Sequence, residues 1–203
     1  MTVTSAGGAG GLTETDRLDR YGPWVGAILP FFFAPMWILA VIVNGNWTLG
    51  GDTLSELGGQ VPSRWIFNSA VMISGAMGVV FSIALYRRLR SKPFGKAGGV
   101  IMAIASICLI SVGVFPIDTG TPHTIASVAF FGLAAISALV LELPISRCVG
   151  IAGIPSLVTI SILAISFICL ALTPLPFAEA VATSGLMVWV LSMSVWMKRD
   201  AER

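Results

Sequence analysis

The chain has 203 residues, 56% of them hydrophobic and 11% charged, with a formal net charge of +2 and a mean hydropathy of +0.90. Soluble domains carry about a quarter charged residues, so that class is excluded. So small a net charge gives no electrostatic footprint for nucleic acid, and none is expected as a partner.

A transmembrane helix needs about 20 mostly apolar residues. Six such runs occur, at 24–43, 64–86, 97–115, 122–143, 150–172 and 177–197. Their length and continuous apolarity predict helices; barrel strands would alternate in segments of about ten. The fold class is therefore all-α, a polytopic six-helix transmembrane bundle spanning 24–197. Tails are expected at 1–23, disordered through its Gly, Thr and Ser content, and at 198–203. The first run is full length and lacks a small-residue cleavage site, so it is read as a retained helix.

Pro30 and Pro35 predict a kink in the first helix. The stretch GDTLSELGGQVPSRWIFN, 51–68, separates the first two runs and concentrates polar residues. Within it, Thr53 and Glu56 fit a capping box, and Gly58-Gly59 would end the short helix it opens. Pro62 and Ser63 suit the start of the second helix. Ser74, Gly78 and Ser82 repeat every four residues, a face that lets another helix approach closely.

The third helix ends at Phe115-Pro116. PIDTGTPH follows, with Thr121 as the expected N-cap of the fourth helix and Pro122 in its first turn. Glu142 and Arg147 are placed to pair at the far end of that helix. The fifth ends at TPLP, 173–176, and the sixth opens with Phe177 and Glu179 in its first turn. Cys108, Cys148 and Cys169 match no metal spacing and read as inert thiols.

Lys and Arg accumulate on the cytoplasmic side of membrane proteins. Arg17, Arg20, Arg87, Arg88, Arg90, Lys92, Lys96, Arg147, Lys198, Arg199 and Arg203 all fall on one side of a six-helix count. Both termini are expected in the cytoplasm of a cell-membrane protein. The loops 44–63, 116–121 and 173–176 then face outward. Arg64 is the one base left to meet four outward acids, Asp52, Glu56, Asp118 and Glu179. His123 and Asn68 share that side.

Polar groups at a membrane edge are costly and turn toward the bundle interior. An outward pocket of Asp52, Ser55, Glu56, Asn68, Asp118, His123 and Glu179 is the candidate binding site. Each of these residues also has a structural reading. Asp118 can close a turn, Glu179 can favour a helix start through the dipole, and His123 can meet water or headgroups from a first turn.

A divalent metal is the cofactor these side chains would fit, with Asp52, Glu56, Asp118 and His123 as ligands and Glu179 as a fifth candidate. Asp52 and Glu56 would lie one turn apart on a short helix. Catalytic candidates are Glu56 or Asp118 as base and His123 as ligand or acid. A Ser55–His123 hydrolase is a further arrangement. HExxH, Walker A, GxSxG and GxGxxG motifs are absent from the sequence. No helix places an ionisable residue at mid-membrane, which argues against a coupled transporter.

DTLSELG, the helix start PSRWIFN, and GVFPIDTGTPH leading into ASVAFF together resemble the prokaryotic domain-of-unknown-function family 998. The resemblance spans about 24–197. That family often begins its last helix with a Glu-Arg pair; here Glu179 is followed by Ala180. A remoter likeness to Frag/DRAM/Sfk-type six-helix membrane proteins implies a lipid-related role by analogy. Two readings follow. The first is a non-catalytic membrane protein binding a lipid headgroup or a protein partner, itself or another. The second is a membrane-embedded, metal-assisted hydrolase or transferase acting on lipid.

Overall fold

The computed structural model describes residues 14–201. The expected disorder of the first residues lies outside that range for 1–13. Six helices follow one another: α1 Glu14–Asn44, α2 Ser63–Leu89, α3 Gly95–Val114, α4 Thr121–Val149, α5 Ile154–Leu172 and α6 Leu175–Ala201. Two short 3-10 helices, Leu54–Gly58 and Ile117–Thr119, lie in the α1–α2 and α3–α4 connections. The described residues form no strand, and all six long helices are long and apolar enough to cross a membrane. The chain is an all-helical, multi-pass membrane protein.

Each helix packs against the next, and α6 packs back on α1, so the bundle closes into a ring. The α2–α3 contact is the most extensive. In lipid the attraction between helices comes mainly from close packing, which small residues permit. A Cβ on Gly75 would lie 2.8 Å from Ile110 N, and one on Gly113 2.8 Å from Asn68 O. Ser82 and Ser106 face each other across this seam at 3.4 Å. The small-residue face read from the sequence is therefore the α2–α3 contact.

Several boundaries differ from the sequence expectation. α1 begins at Glu14 rather than near 24, so 14–23 are helical. α4 runs through Pro144 to Val149. Its N-cap is Gly120, with φ +71°, and Thr121 is already the first helical residue. The left-handed φ there suits glycine. Glu142 does not pair with Arg147; its carboxylate accepts from Ser156 Oγ on α5. Glu179 lies beyond the first turn of α6, which starts at Leu175.

The two ends of the bundle differ in charge. One end holds the α2–α3 loop and the α6 terminus, where Asp19 chelates Arg87 at 2.6 and 2.7 Å, Arg88 pairs with Asp200, and Lys198 Nζ lies 3.0 Å from the Trp24 ring centre. The other holds residues 45–62 and the α3–α4 and α5–α6 connections. It carries the candidate site.

Candidate functional site

Residues 45–62 fold back onto the bundle rather than looping into solvent. Asn44 Nδ2, at the near end of the connection, reaches across to its far end, donating to Gln60 Oε1 at 2.9 Å and Ser63 Oγ at 3.1 Å. Trp47 Nε1 donates to Thr53 O at 2.8 Å, and its ring meets Trp37 of α1 edge-on at 6.3 Å. Asn68 Nδ2 of α2 donates to Gly58 O at 3.0 Å. Leu54 and Leu57 are buried to 3% and 0% exposure. Ser63, the first residue of α2 after the N-cap Pro62, serves the same closure: its Oγ lies 2.9 Å from Leu57 O and 3.0 Å from Gln60 O.

The expected capping box is present. Glu56 Oε2 accepts from Thr53 N–H at 2.6 Å, and the Thr53 side chain turns back to the Glu56 backbone N–H, though Oγ1 stays beyond full hydrogen-bond reach. The helix it opens is 3-10 and starts at Leu54, so Asp52 stands outside it. Asp52 Oδ2 instead accepts from Thr48 N at 2.7 Å and Thr48 Oγ1 at 2.8 Å. The one-turn Asp52–Glu56 pair does not form.

Glu179 makes the longest-range connection at this end. Its Oε2 accepts from Leu54 N–H at 3.1 Å and its Oε1 from Ser55 Oγ–H at 3.0 Å. An acid on α6 thus holds the start of the 3-10 helix, where backbone N–H groups lack partners.

The other candidates sit apart. Asp118 pairs with Arg64 at 2.9 Å on a part-exposed edge. His123 is buried to 7% exposure. Its Nδ1 lies 2.8 Å from Phe115 O and its Nε2 3.2 Å from Ser127 Oγ. A carbonyl can only accept, so Nδ1 carries the proton and Nε2 accepts from the Ser127 hydroxyl. No three His, Cys, Asp or Glu side chains gather into a metal-binding group among the described residues. Asp52, Glu56, Asp118 and His123 each answer to a different neighbour. Ser55 and Glu179 come together; the seven expected pocket residues do not form one site.

What the structure adds is a chamber of about 90 Å³ inside the ring. Five helices, all but α5, line it together with the 3-10 helix Leu54–Gly58. Ser55 and Glu179 reach it from the loop end, and Ser127 brings the His123 pair to its wall. Ser74 and Ser106 lie on the α2–α3 side. Ser106 Oγ is spent on Met102 O at 2.9 Å, whereas Ser74 Oγ, on a residue 2% exposed, has no partner. Apart from Thr183 on α6, the rest of the wall is apolar. Sequence reading assigned Ser74 to packing and missed Ser127. The position of Ser127 one turn after His123 was the available signal.

The family model described as "Protein of unknown function (DUF998)" matches residues 25–196. Comparison with curated proteins found no match, and neither did comparison with solved structures. The chain belongs to the DUF998 family.

Proposed function

We propose that this member of the family is a non-catalytic protein of the cell membrane that binds a lipid headgroup in the chamber ending at Ser55 and Glu179. One observation carries the reading: a chamber with apolar walls from five helices and a carboxylate–hydroxyl pair at one end. Mostly apolar pockets with a few placed polar groups are the usual form of ligand sites. The positive-inside rule orients the protein. With Arg87, Arg88, Arg90, Lys92, Lys96 and Arg147 at the opposite end, the Glu179 end faces outward and both termini lie in the cytoplasm.

The test is lipid retention. Purified protein is released from detergent in a native mass spectrometer, beside a Ser74→Leu variant that fills the chamber. Wild type should retain lipid and the variant should lose it while staying helical and monodisperse. Equal retention by both would refute the chamber as the site.

A second reading, a hydrolase or transferase acting on lipid, is favoured by the Ser127 Oγ–His123 Nε2 contact at 3.2 Å, in which Ser127 lines the chamber and His123 stands behind it. A hydroxyl beside an imidazole that is oriented by a third group is a nucleophile–base arrangement. Adduct formation at Ser127 with a fluorophosphonate, abolished in His123→Ala, would support it. An unlabelled Ser127 would remove it. The metal-assisted version finds no clustered ligand set among the described residues to rest on.

A further inference from the structure

The chamber's electrostatics are one-sided. Among the described residues that line it, Glu179 is the sole charged one, and no Lys, Arg or His reaches the wall. Arg64, the one Arg or Lys among the described residues at that end, is already paired with Asp118. A carboxylate has about four acceptor positions, and the bonds from Leu54 and Ser55 occupy two. A buried charge is costly unless paired, and here the protein supplies no partner cation.

Two further features point the same way. Phe33, Phe67, Phe81, Phe130 and Phe131 all line the chamber. Phe33 and Phe67 meet edge-to-face at 6.2 Å, and Phe130 and Phe131 lie 4.8 Å apart. The faces of aromatic rings attract cations, and aromatic walls with a nearby acid are how proteins recognise organic ammonium groups. Ser74 adds an unpartnered, 98%-buried hydroxyl within the same wall, a group that would be satisfied by a polar atom of a ligand.

We propose that the chamber selects an ammonium group, with the cation held between the Glu179 carboxylate and the phenylalanine faces and its hydrocarbon against the remaining wall. This rests on the binding role proposed above and names the chemical class of its ligand. Anionic headgroups are excluded by the same charge: a phosphate or carboxylate placed there would meet Glu179 with no base to offset it. A volume of about 90 Å³ suits an ammonium with a few carbons, so the group can belong either to a lipid headgroup or to a free amine.

The experiment uses full-length protein in a nonionic maltoside detergent. Binding of dodecyltrimethylammonium, butyltrimethylammonium, dodecanol and dodecanoate is measured by intrinsic Trp fluorescence, since the Trp189 ring packs against Phe81 of the chamber wall, and by native mass spectrometry. The expected result is binding of the ammonium probes on the order of tenfold or more tighter than dodecanol, with dodecanoate weakest. In Glu179→Gln, which keeps an acceptor for the loop, the preference for ammonium over alcohol should collapse by a similar factor. Phe130→Leu should lower it too, at little cost to packing volume.

Dodecanol or dodecanoate binding as tightly as the ammonium probes would overturn the ammonium inference and leave the binding role standing. No binding by any probe would overturn the binding role itself. Between the two ammonium probes, tighter binding of the long chain assigns the site to a lipid headgroup. Equal binding assigns it to a free cation, which keeps the inference and refutes the lipid reading.

Discussion

Replacing Glu179 with alanine removes both bonds that join α6 to the start of the 3-10 helix Leu54–Gly58. Hydrogen bonds to a charged group are worth about 1.5–3 kcal/mol each. The loop is part-exposed, so water recovers some of the loss, and a net cost of roughly 2–4 kcal/mol is reasonable. That cost falls on local opening of the loop rather than on the bundle, because α6 remains packed on α1 and α5. At 1.4 kcal/mol per tenfold, the open population rises by about 30- to 700-fold. Hydrogen exchange of amides in 48–60, read by mass spectrometry in detergent, reports that population. Glu179→Gln retains an acceptor for Leu54 N–H and should show a smaller rise, about 5- to 30-fold. Ser55→Ala should lie near the glutamine variant, and adding it to Glu179→Ala should change little, since the shared bond is already gone. Exchange in Glu179→Ala within about twofold of wild type would show that the acid does not hold the loop.

Three further outcomes follow from the same geometry. Gly58→Ala should destabilise by about 1–3 kcal/mol in a detergent unfolding assay, because the added methyl would collide with Asn68 Oδ1, whose amide holds Gly58 O; an unchanged midpoint would mean the turn relaxes freely. His123→Ala should cost about 1–3 kcal/mol through the orphaned Phe115 carbonyl and leave metal content unchanged by elemental analysis; loss of a bound metal would restore the ligand role. With the native cysteines replaced, a cysteine at Val61 should react with an impermeant maleimide on intact cells and one at Phe94 should not, both sites being exposed at opposite ends; the reverse labelling would invert the topology.

The helices were legible because each carries 19 or more residues of strongly apolar chain, and burial in lipid leaves no other regular structure that satisfies the backbone. Their limits were less legible. Residues 14–23 are polar enough to read as a tail, yet Asp19 is held by Arg87 of α2, a contact from 68 residues away. Pro144 marks no end, because α4 continues through it. At the site, Glu56 behaved as its spacing to Thr53 implied, a local bond over three residues. The Ser55–Glu179 contact spans 124 residues and has no local signature. His123 looked like an exposed first-turn residue. It is buried because the carbonyl of Phe115, left over at the end of α3, needs a donor that the helix itself cannot supply.

Glu179 has two tasks at one carboxylate, holding the loop and facing the chamber, so the two events must be thermodynamically linked. If the loop must be closed for the ammonium to find both the acid and the ring faces, then a bound ammonium stabilises the closed loop. At a ligand concentration a hundred times its dissociation constant, a form that binds is favoured over one that does not by about 2.7 kcal/mol. Exchange of the 48–60 amides should then slow by up to about a hundredfold when dodecyltrimethylammonium saturates the protein. Amides deep in α2 and α3, already tightly packed across the seam at Gly75 and Gly113, should change much less. In Glu179→Gln the slowing should fade along with affinity, since the charge that joins the two events is gone. A saturating ammonium that leaves 48–60 unprotected in wild type would place its binding elsewhere on the protein, and the carboxylate would then be a loop fastening alone.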